Sequence, residues 1–186
     1  MAKVPTAGNV KTRLQPHLSP EECRTVAEAF LSDAIHKARN ACDELIIAFS
    51  PASEKSYFDK LENSQNLILI EQKEGNLGER MANAFEFSVS ADAGKAVVMI
   101  GTDSPTFPVE FAEQAFSDLE KQAEIVLGKS ADGGFYLIGA KKIYPTLFEN
   151  IEWSSARVFE QVTVNIENLK INPVITAATA FTGDFA

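Results

Sequence analysis

The segment KAVVMIGTDSPTFP, Lys95 to Pro108, contains the most apolar run of the chain, flanked by Gly94 on one side and by a proline-containing loop on the other. Successive apolar residues suit a strand buried on both faces, the environment of a central strand in a parallel sheet. Asp103 then stands at the carboxyl end of that strand, where it meets its loop.

Upstream, ELIIAFS (Glu44 to Ser50) and LILIE (from Leu67) repeat the strand signal. Between and around them lie helical stripes. Ser19, Pro20 and Glu22 form the signature of an N-cap, first-turn proline and capping-box acid, followed by Val26, Phe30, Ala34, Ile35 and Ala38, which predicts a helix over about 20 to 41. SEKSYFDKLEN places Tyr57, Phe58 and Leu61 on one helical face, and Leu77, Met81, Phe85 and Val89 predict another helix. Downstream, Phe111, Ala115 and Leu119 mark a helix, EIVLG (from Glu124) and FYLIG (from Phe135) two strands, and Val158, Val162, Ile166 and Leu169 a late helix with Ser154 as its expected N-cap. Persistent alternation of strand and helix implies a mostly parallel sheet covered on both faces, with ligands outside the carboxyl ends of the strands. No linker, internal repeat or low-complexity segment divides residues 1–186, which are taken as a single domain.

Composition narrows the partners. A net charge of −9 on 186 residues argues against nucleic acid or an anionic membrane, both of which need a basic face. A small phosphorylated ligand needs only a local cationic pocket. No run approaches the roughly 18 apolar residues of a membrane span, and the N-terminus lacks the apolar core of a signal peptide, so the cytoplasm is the expected compartment. Cys23 and Cys42 fall too far apart along the first helix to bridge each other and are expected as reduced, small hydrophobes. His17 and His36 have no suggestive Ser or Cys partner.

Four segments carry candidate chemistry. AKVPTAGNVKTRL (Ala2 to Leu14) gathers Lys3, Gly8, Lys11, Thr12 and Arg13 without helical or strand periodicity. Glycine lets backbone approach a phosphate, Arg13 suits a forked contact and the lysines a point-charge contact; the plainer alternative is a solvated basic terminus. It is not a Walker A loop, because Val10, not glycine, precedes Lys11. In IGTDSP (Ile100 to Pro105), Asp103 is placed to hold a hard cation such as Mg²⁺, or else to cap the next helix. In SADGGFYLIG (Ser130 to Gly139), Asp132 is either a second metal ligand or part of a hairpin turn, with the turn slightly favoured. In EGNLGERM (Glu74 to Met81), Gly78 lies at a helix start that either offers backbone donors to an anion or is a plain connection favoured by Glu79.

Together, the blocks KxPxxGxVKTRL, GNLGERMANAF (Gly75 to Phe85), IGTDSP and DGGFYLIG (Asp132 to Gly139) resemble, in order, the bacterial glycosyltransferase-like family related to the 2-phospho-lactate guanylyltransferases. The resemblance implies a Rossmann-like, three-layer α/β/α nucleotide-diphospho-sugar transferase fold of the glycosyltransferase A type. It also implies that Lys3, Gly8, Lys11, Thr12 and Arg13 embrace nucleotide phosphates, that Asp103 binds Mg²⁺ or Mn²⁺, and that Thr102 and Gly78 lie near the nucleotide. Two departures stand out. Only Met1 and Ala2 precede Lys3 where the family has a full apolar strand, so the first strand is expected to be incomplete. The tail INPVITAATAFTGDFA carries only Asp184 where the family has an aspartate-rich segment and a final helix.

The expected activity is metal-dependent glycosyl or nucleotidyl transfer from a nucleotide-sugar or nucleoside triphosphate to a small-molecule acceptor. Asp103, Lys11 and Arg13 are the catalytic candidates and Asp103 and Asp132 the metal candidates; a homodimer is left open. The alternatives are a non-catalytic nucleotide-binding domain and a metal-assisted phosphohydrolase. Pro105 counts against the second, since it stands where a DxD pair would place its second carboxylate.

Overall fold

The computed structural model describes residues 1–61, 67–91, 94–103, 106–142 and 144–179. Ser104 and Pro105 of the IGTDSP block, and Asp184 of the tail, lie outside the described residues. The chain alternates β1 (Ala2–Lys3), α1 (Pro20–Ala41), β2 (Leu45–Ser50), α2 (Ser56–Asp59), β3 (Leu67–Glu71), α3 (Leu77–Ala91) and β4 (Val97–Ile100). It continues through α4 (Val109–Lys121), β5 (Ile125–Ser130), β6 (Phe135–Ala140), α5 (Val158–Leu169) and β7 (Pro173–Thr179).

Strands β1, β2 and β3 pair in parallel, with Ala2 opposite Phe49 and Leu45 opposite Leu67. The second group runs β4-β6-β5-β7. The amino group of Met1 donates to the Ile100 carbonyl at 3.1 Å, which brings the start of β1 against the end of β4 and so joins the β1-β2-β3 sheet to the β4-β6-β5-β7 sheet at this point. The fold is therefore the three-layer, mostly parallel α/β arrangement. The exception is β6, antiparallel to both β4 and β5; the expectation of a central parallel strand at Val97–Ile100 is corrected, since β4 ends its own hydrogen-bonded sheet, pairs antiparallel and is mostly only partly buried. The cause is local: Ser130 and Gly134 close a short turn, with the Ser130 amide donating to the Gly134 carbonyl at 3.1 Å, and a short turn returns the chain antiparallel.

Both faces are covered. Met81 and Phe85 of α3 and Val158, Val162 and Ile166 of α5 pack with Ile125, Leu127, Phe135 and Ile138 on one face. Ala112, Ala115 and Leu119 of α4 cover Val126, Tyr136 and Leu137 on the other. Leu31 of α1 and Phe58 of α2 join Ile47 and Phe49 in a smaller cluster. All six residues of β6 are buried, as continuous apolar strands in a covered sheet should be.

Caps explain several boundaries. The Ser19 backbone N–H donates to Glu22 Oε2 at 2.8 Å while the Glu22 N–H donates to Ser19 Oγ at 3.3 Å, closing the capping box that starts α1. Helix α3 begins the same way: the Asn76 N–H donates to Glu79 Oε2 at 2.7 Å and the Glu79 N–H to Asn76 Oδ1 at 3.1 Å. Two expectations are corrected. SEKSYFDKLEN forms only the single turn α2 after a 3-10 turn at Ala52–Glu54, with residues 62–66 outside the described set. Ser154 does not cap α5; it has a φ of 65°, and the helix starts after Arg157, whose guanidinium pairs with Glu152.

Behind Met1, between the facing edges of β2 and β4, lies a cavity of about 770 Å³ whose apolar lining includes Leu31, Ile35, Ile46, Val98 and Phe116. Among the described residues no other strand enters it, and β1 spans two residues. Burial pushes the Met1 amino group down from its ordinary 8.0 to about 6, because a buried ammonium loses its hydration.

Candidate active site at the carboxyl end of the sheet

Three connections meet at one end of the sheet: the loop after β1, the loop after β4 and the β5–β6 turn. The last belongs there by register, since Ile100 at the end of β4 faces Leu137 near the start of β6.

The loop after β1 is shaped by a few anchors. Val4 and Val10 are buried at its two ends, and the Val4 N–H donates to the Ser50 carbonyl at 2.8 Å, extending the β1–β2 ladder by one bond. Between them the Asn9 N–H donates to the Thr6 carbonyl at 3.0 Å, and Gly8, at φ 83°, supplies the left-handed corner. No atom would obstruct a side chain there, so conformation rather than space calls for glycine at position 8. Lys3 Nζ donates to the Asn9 carbonyl at 2.6 Å, so its ammonium staples the loop across its base. Gln72 Nε2, donating to the carbonyls of Ala2 at 3.2 Å and Ala48 at 2.9 Å, fastens β1 to β2 from outside the loop.

Lys11 follows in a left-handed conformation (φ 49°, ψ 36°) and opens a 3-10 turn over Thr12–Leu14. Its side chain is turned inward, 14% exposed, with Nζ 4.3 Å from the centre of the Phe30 ring and 2.7 Å from Asp103 Oδ1. Asp103 keeps half of its side-chain surface in solvent. Thus the structure brings together two candidate residues that lie far apart in the sequence, one from the basic loop and one from the end of β4. Thr102 lies beside Asp103, partly buried at the rim of the cavity. Thr12 and Arg13 are exposed on the 3-10 turn, and Arg13 makes no hydrogen bond or ion pair among the described residues, which leaves its fork directed to solvent.

Asp132 and Gly78 are placed differently. Asp132 Oδ1 accepts from Ser130 Oγ at 2.6 Å and from the Gly134 N–H at 3.1 Å, so its carboxylate organises the turn, the reading slightly favoured from sequence. The same turn is locked to α5: the Phe159 N–H donates to the Gly133 carbonyl at 2.8 Å, and a Cβ on Gly133 would lie 2.1 Å from the Ala156 carbonyl oxygen. Gly78 is buried, and a Cβ there would come within 2.8 Å of both Phe148 and Trp153, so close packing accounts for this glycine. The helix N-terminus beside it carries the reciprocal Asn76–Glu79 cap.

Phe30 is the contributor that sequence reading assigned to the core alone. Its place on the apolar stripe of α1 hid its second role as a ring beneath a cation. Among the described residues no group of three or more His, Cys, Asp or Glu side chains converges as a metal cage. A hard cation that keeps most of its waters needs only one or two carboxylates, and Asp103 offers a half-exposed carboxylate that already has a cationic group on one oxygen. That donor chemistry fits a divalent ion.

A family model described as "Uncharacterized protein conserved in bacteria (DUF2064)" matches residues 32–155. No curated protein matches significantly. Among solved structures, a candidate nucleotide-diphospho-sugar transferase from Desulfovibrio desulfuricans G20 aligns with a TM-score of 0.86 and 25% identity, covering 95% of this chain and 77% of that one. Rv0371c from Mycobacterium tuberculosis H37Rv aligns at TM-score 0.51 and 17% identity over 83% of this chain and 76% of that one, a likeness of fold alone. Its manganese complex aligns at TM-score 0.45 and is too remote to carry an argument for this chain. With the family model matched across two thirds of its length, the chain belongs to this bacterial DUF2064 family and has the nucleotide-diphospho-sugar transferase fold.

Proposed function

We propose that the protein is a transferase that binds a nucleoside triphosphate or nucleotide-sugar with one Mg²⁺ or Mn²⁺ and passes a nucleotidyl or glycosyl group to a small-molecule acceptor. The observation that carries this reading is the Lys11–Asp103 contact, which joins a cationic, glycine-cornered loop to the carboxylate at the end of β4. In an open α/β sheet that is where phosphorylated ligands sit. The relation to the 2-phospho-lactate guanylyltransferases belongs to the same proposal.

In this reading Asp103 is the metal ligand, and the ion supplies charge neutralisation at the reacting phosphate. Lys11 and Arg13 offset the negative charge that builds on the leaving group, Lys11 as a point charge and Arg13 as a fork. Lys3 acts one step back, holding the loop through the Asn9 carbonyl. Thr12 and Thr102 offer hydroxyls to phosphate or ribose. In-line transfer depends mostly on positioning and charge, so the exposed His17 and His36 are not required.

Thermal unfolding with a panel of nucleoside triphosphates and nucleotide-sugars, each with and without Mg²⁺ or Mn²⁺, tests the reading. A metal-dependent rise in midpoint with one donor, lost in Asp103→Ala, is the expected outcome. No rise with any donor, or a rise indifferent to Asp103→Ala, removes the site from this end of the sheet.

A further inference from the structure

The Lys11–Asp103 pair is itself informative about how ligands enter. Lys11 Nζ lies 2.7 Å from Asp103 Oδ1, and a divalent ion bound through that carboxylate would sit roughly 2.0–2.1 Å from a carboxylate oxygen. Two cations on one half-exposed carboxylate repel each other strongly. With the ammonium on one oxygen, Asp103 holds a second cation more weakly, and moving the ammonium away restores that hold.

We infer that Lys11 acts as an internal stand-in for the metal: its ammonium occupies the cation position of Asp103 in the ligand-free protein and is released to phosphate when ligand and metal enter together. This rests on the metal role given to Asp103 under the proposed function and adds an order to it.

Three features of the loop support the exchange. First, the Lys11 side chain is largely withdrawn from water, with Nζ 4.3 Å from the centre of the Phe30 ring, so the ammonium is held at the site and not merely steered towards it. Second, the backbone of Lys11 is fixed in its left-handed conformation by the Leu14 N–H donating to its carbonyl at 2.8 Å, which leaves the flexible side chain as the part that moves. Third, Arg13 stands exposed two residues on, available to phosphate without giving up any partner among the described residues. A phosphate drawn in by Arg13 gives the Lys11 ammonium a new anion, and Asp103 becomes free for the metal. Metal and phosphate then promote each other's binding by the same factor, as linkage requires.

The test uses the full chain and Mn²⁺ alone, with free Mn²⁺ followed by electron paramagnetic resonance. Lys11→Met keeps the aliphatic stem over Phe30 but removes the charge. It is expected to bind Mn²⁺ about fivefold more tightly than the unaltered chain, the fold-change matching the upper range for a partly exposed ion pair. Lys11→Arg keeps the charge and should retain the weak affinity. Lys3→Met removes a nearby loop charge that does not touch Asp103 and should shift the affinity clearly less than Lys11→Met. Asp103→Asn should abolish the binding in every background. Equal affinity in Lys11→Met and the unaltered chain, with binding still dependent on Asp103, overturns the exchange and leaves the metal assignment standing; an equal gain in Lys3→Met overturns it as well, by reducing the effect to general charge. Mn²⁺ binding that is absent or indifferent to Asp103→Asn overturns the metal assignment, and the exchange with it. If Lys11→Met does not fold, the comparison of Lys11→Gln with Lys11→Arg reads the same difference.

Discussion

The two ends of the sheet are built to different standards. Strands β5 and β6 are buried almost throughout and pressed between α3, α4 and α5, whereas β3 is only partly buried and β1 spans two residues beside a large cavity. The basic loop hangs from the second, looser region; the turn that faces it hangs from the first. Asp103 follows β4, whose residues also line that cavity, so both members of the Lys11–Asp103 pair stand on the sparse side, while the Asp132 turn stands on the dense one.

The contrast can be broken by substitution. The largest effect is expected at Phe135, fully buried in the major cluster: Phe135→Ala should cost about 3–5 kcal/mol by urea unfolding, and a loss under about 1 kcal/mol would mean that the dense region is not dense. Next comes pH. The Met1 amine, where free, has its pKa lowered from 8.0 to about 6 by burial, so the unfolded chain binds more protons between those values. Stability should therefore rise as pH goes from about 6 to 8, by roughly 2–3 kcal/mol, and be fully reduced below 6. Acetylation of that amine should flatten the profile; a profile unchanged by acetylation would assign the slope to other groups.

Smaller still is Gly78→Ala, which forces a Cβ against Phe148 and Trp153 and should cost roughly 1–3 kcal/mol by overpacking while leaving nucleotide affinity nearly intact in the folded fraction. A selective loss of affinity would return Gly78 to the nucleotide site. The smallest effect is that of Arg13→Ala. This exposed side chain should change stability by less than about 0.5 kcal/mol, yet weaken phosphate binding; unaltered affinity would take the loop out of the site.

Much of this was legible in the residues. The strands at Leu45, Leu67, Val97, Ile125 and Phe135 announce themselves as short apolar runs, and Ser19-Pro20-Glu22 fixes the start of α1 through its own hydrogen bonds. What was hidden depends on tertiary neighbours. Apolar content cannot tell a parallel from an antiparallel central strand, so the direction of β6 rested on weighing the Asp132-Gly133-Gly134 turn. The Pro173–Thr179 strand has a weak pattern and exists because β5 offers it an edge in register. At the site, the charged residues were visible, but not that Lys11 would turn inward onto Phe30 and Asp103 while Arg13 turned out. Gly78 illustrates the reverse case: a glycine at a helix start suggests an anion site, and Phe148 and Trp153 add a packing reason for it that the sequence does not show.

The narrow seam at β1 has a dynamic consequence. Among the described residues the backbone ladder through β1 is two residues long, and the β2–β3 ribbon is joined to the rest by the Met1 bond to Ile100, the Lys37 bond to the Phe107 carbonyl and the packing of Ala48 and Ile70 against the major cluster. Amide protons of the partly buried β3 should therefore exchange with deuterium through smaller openings than those of β5 and β6, which are buried almost throughout and should exchange only when the whole chain unfolds.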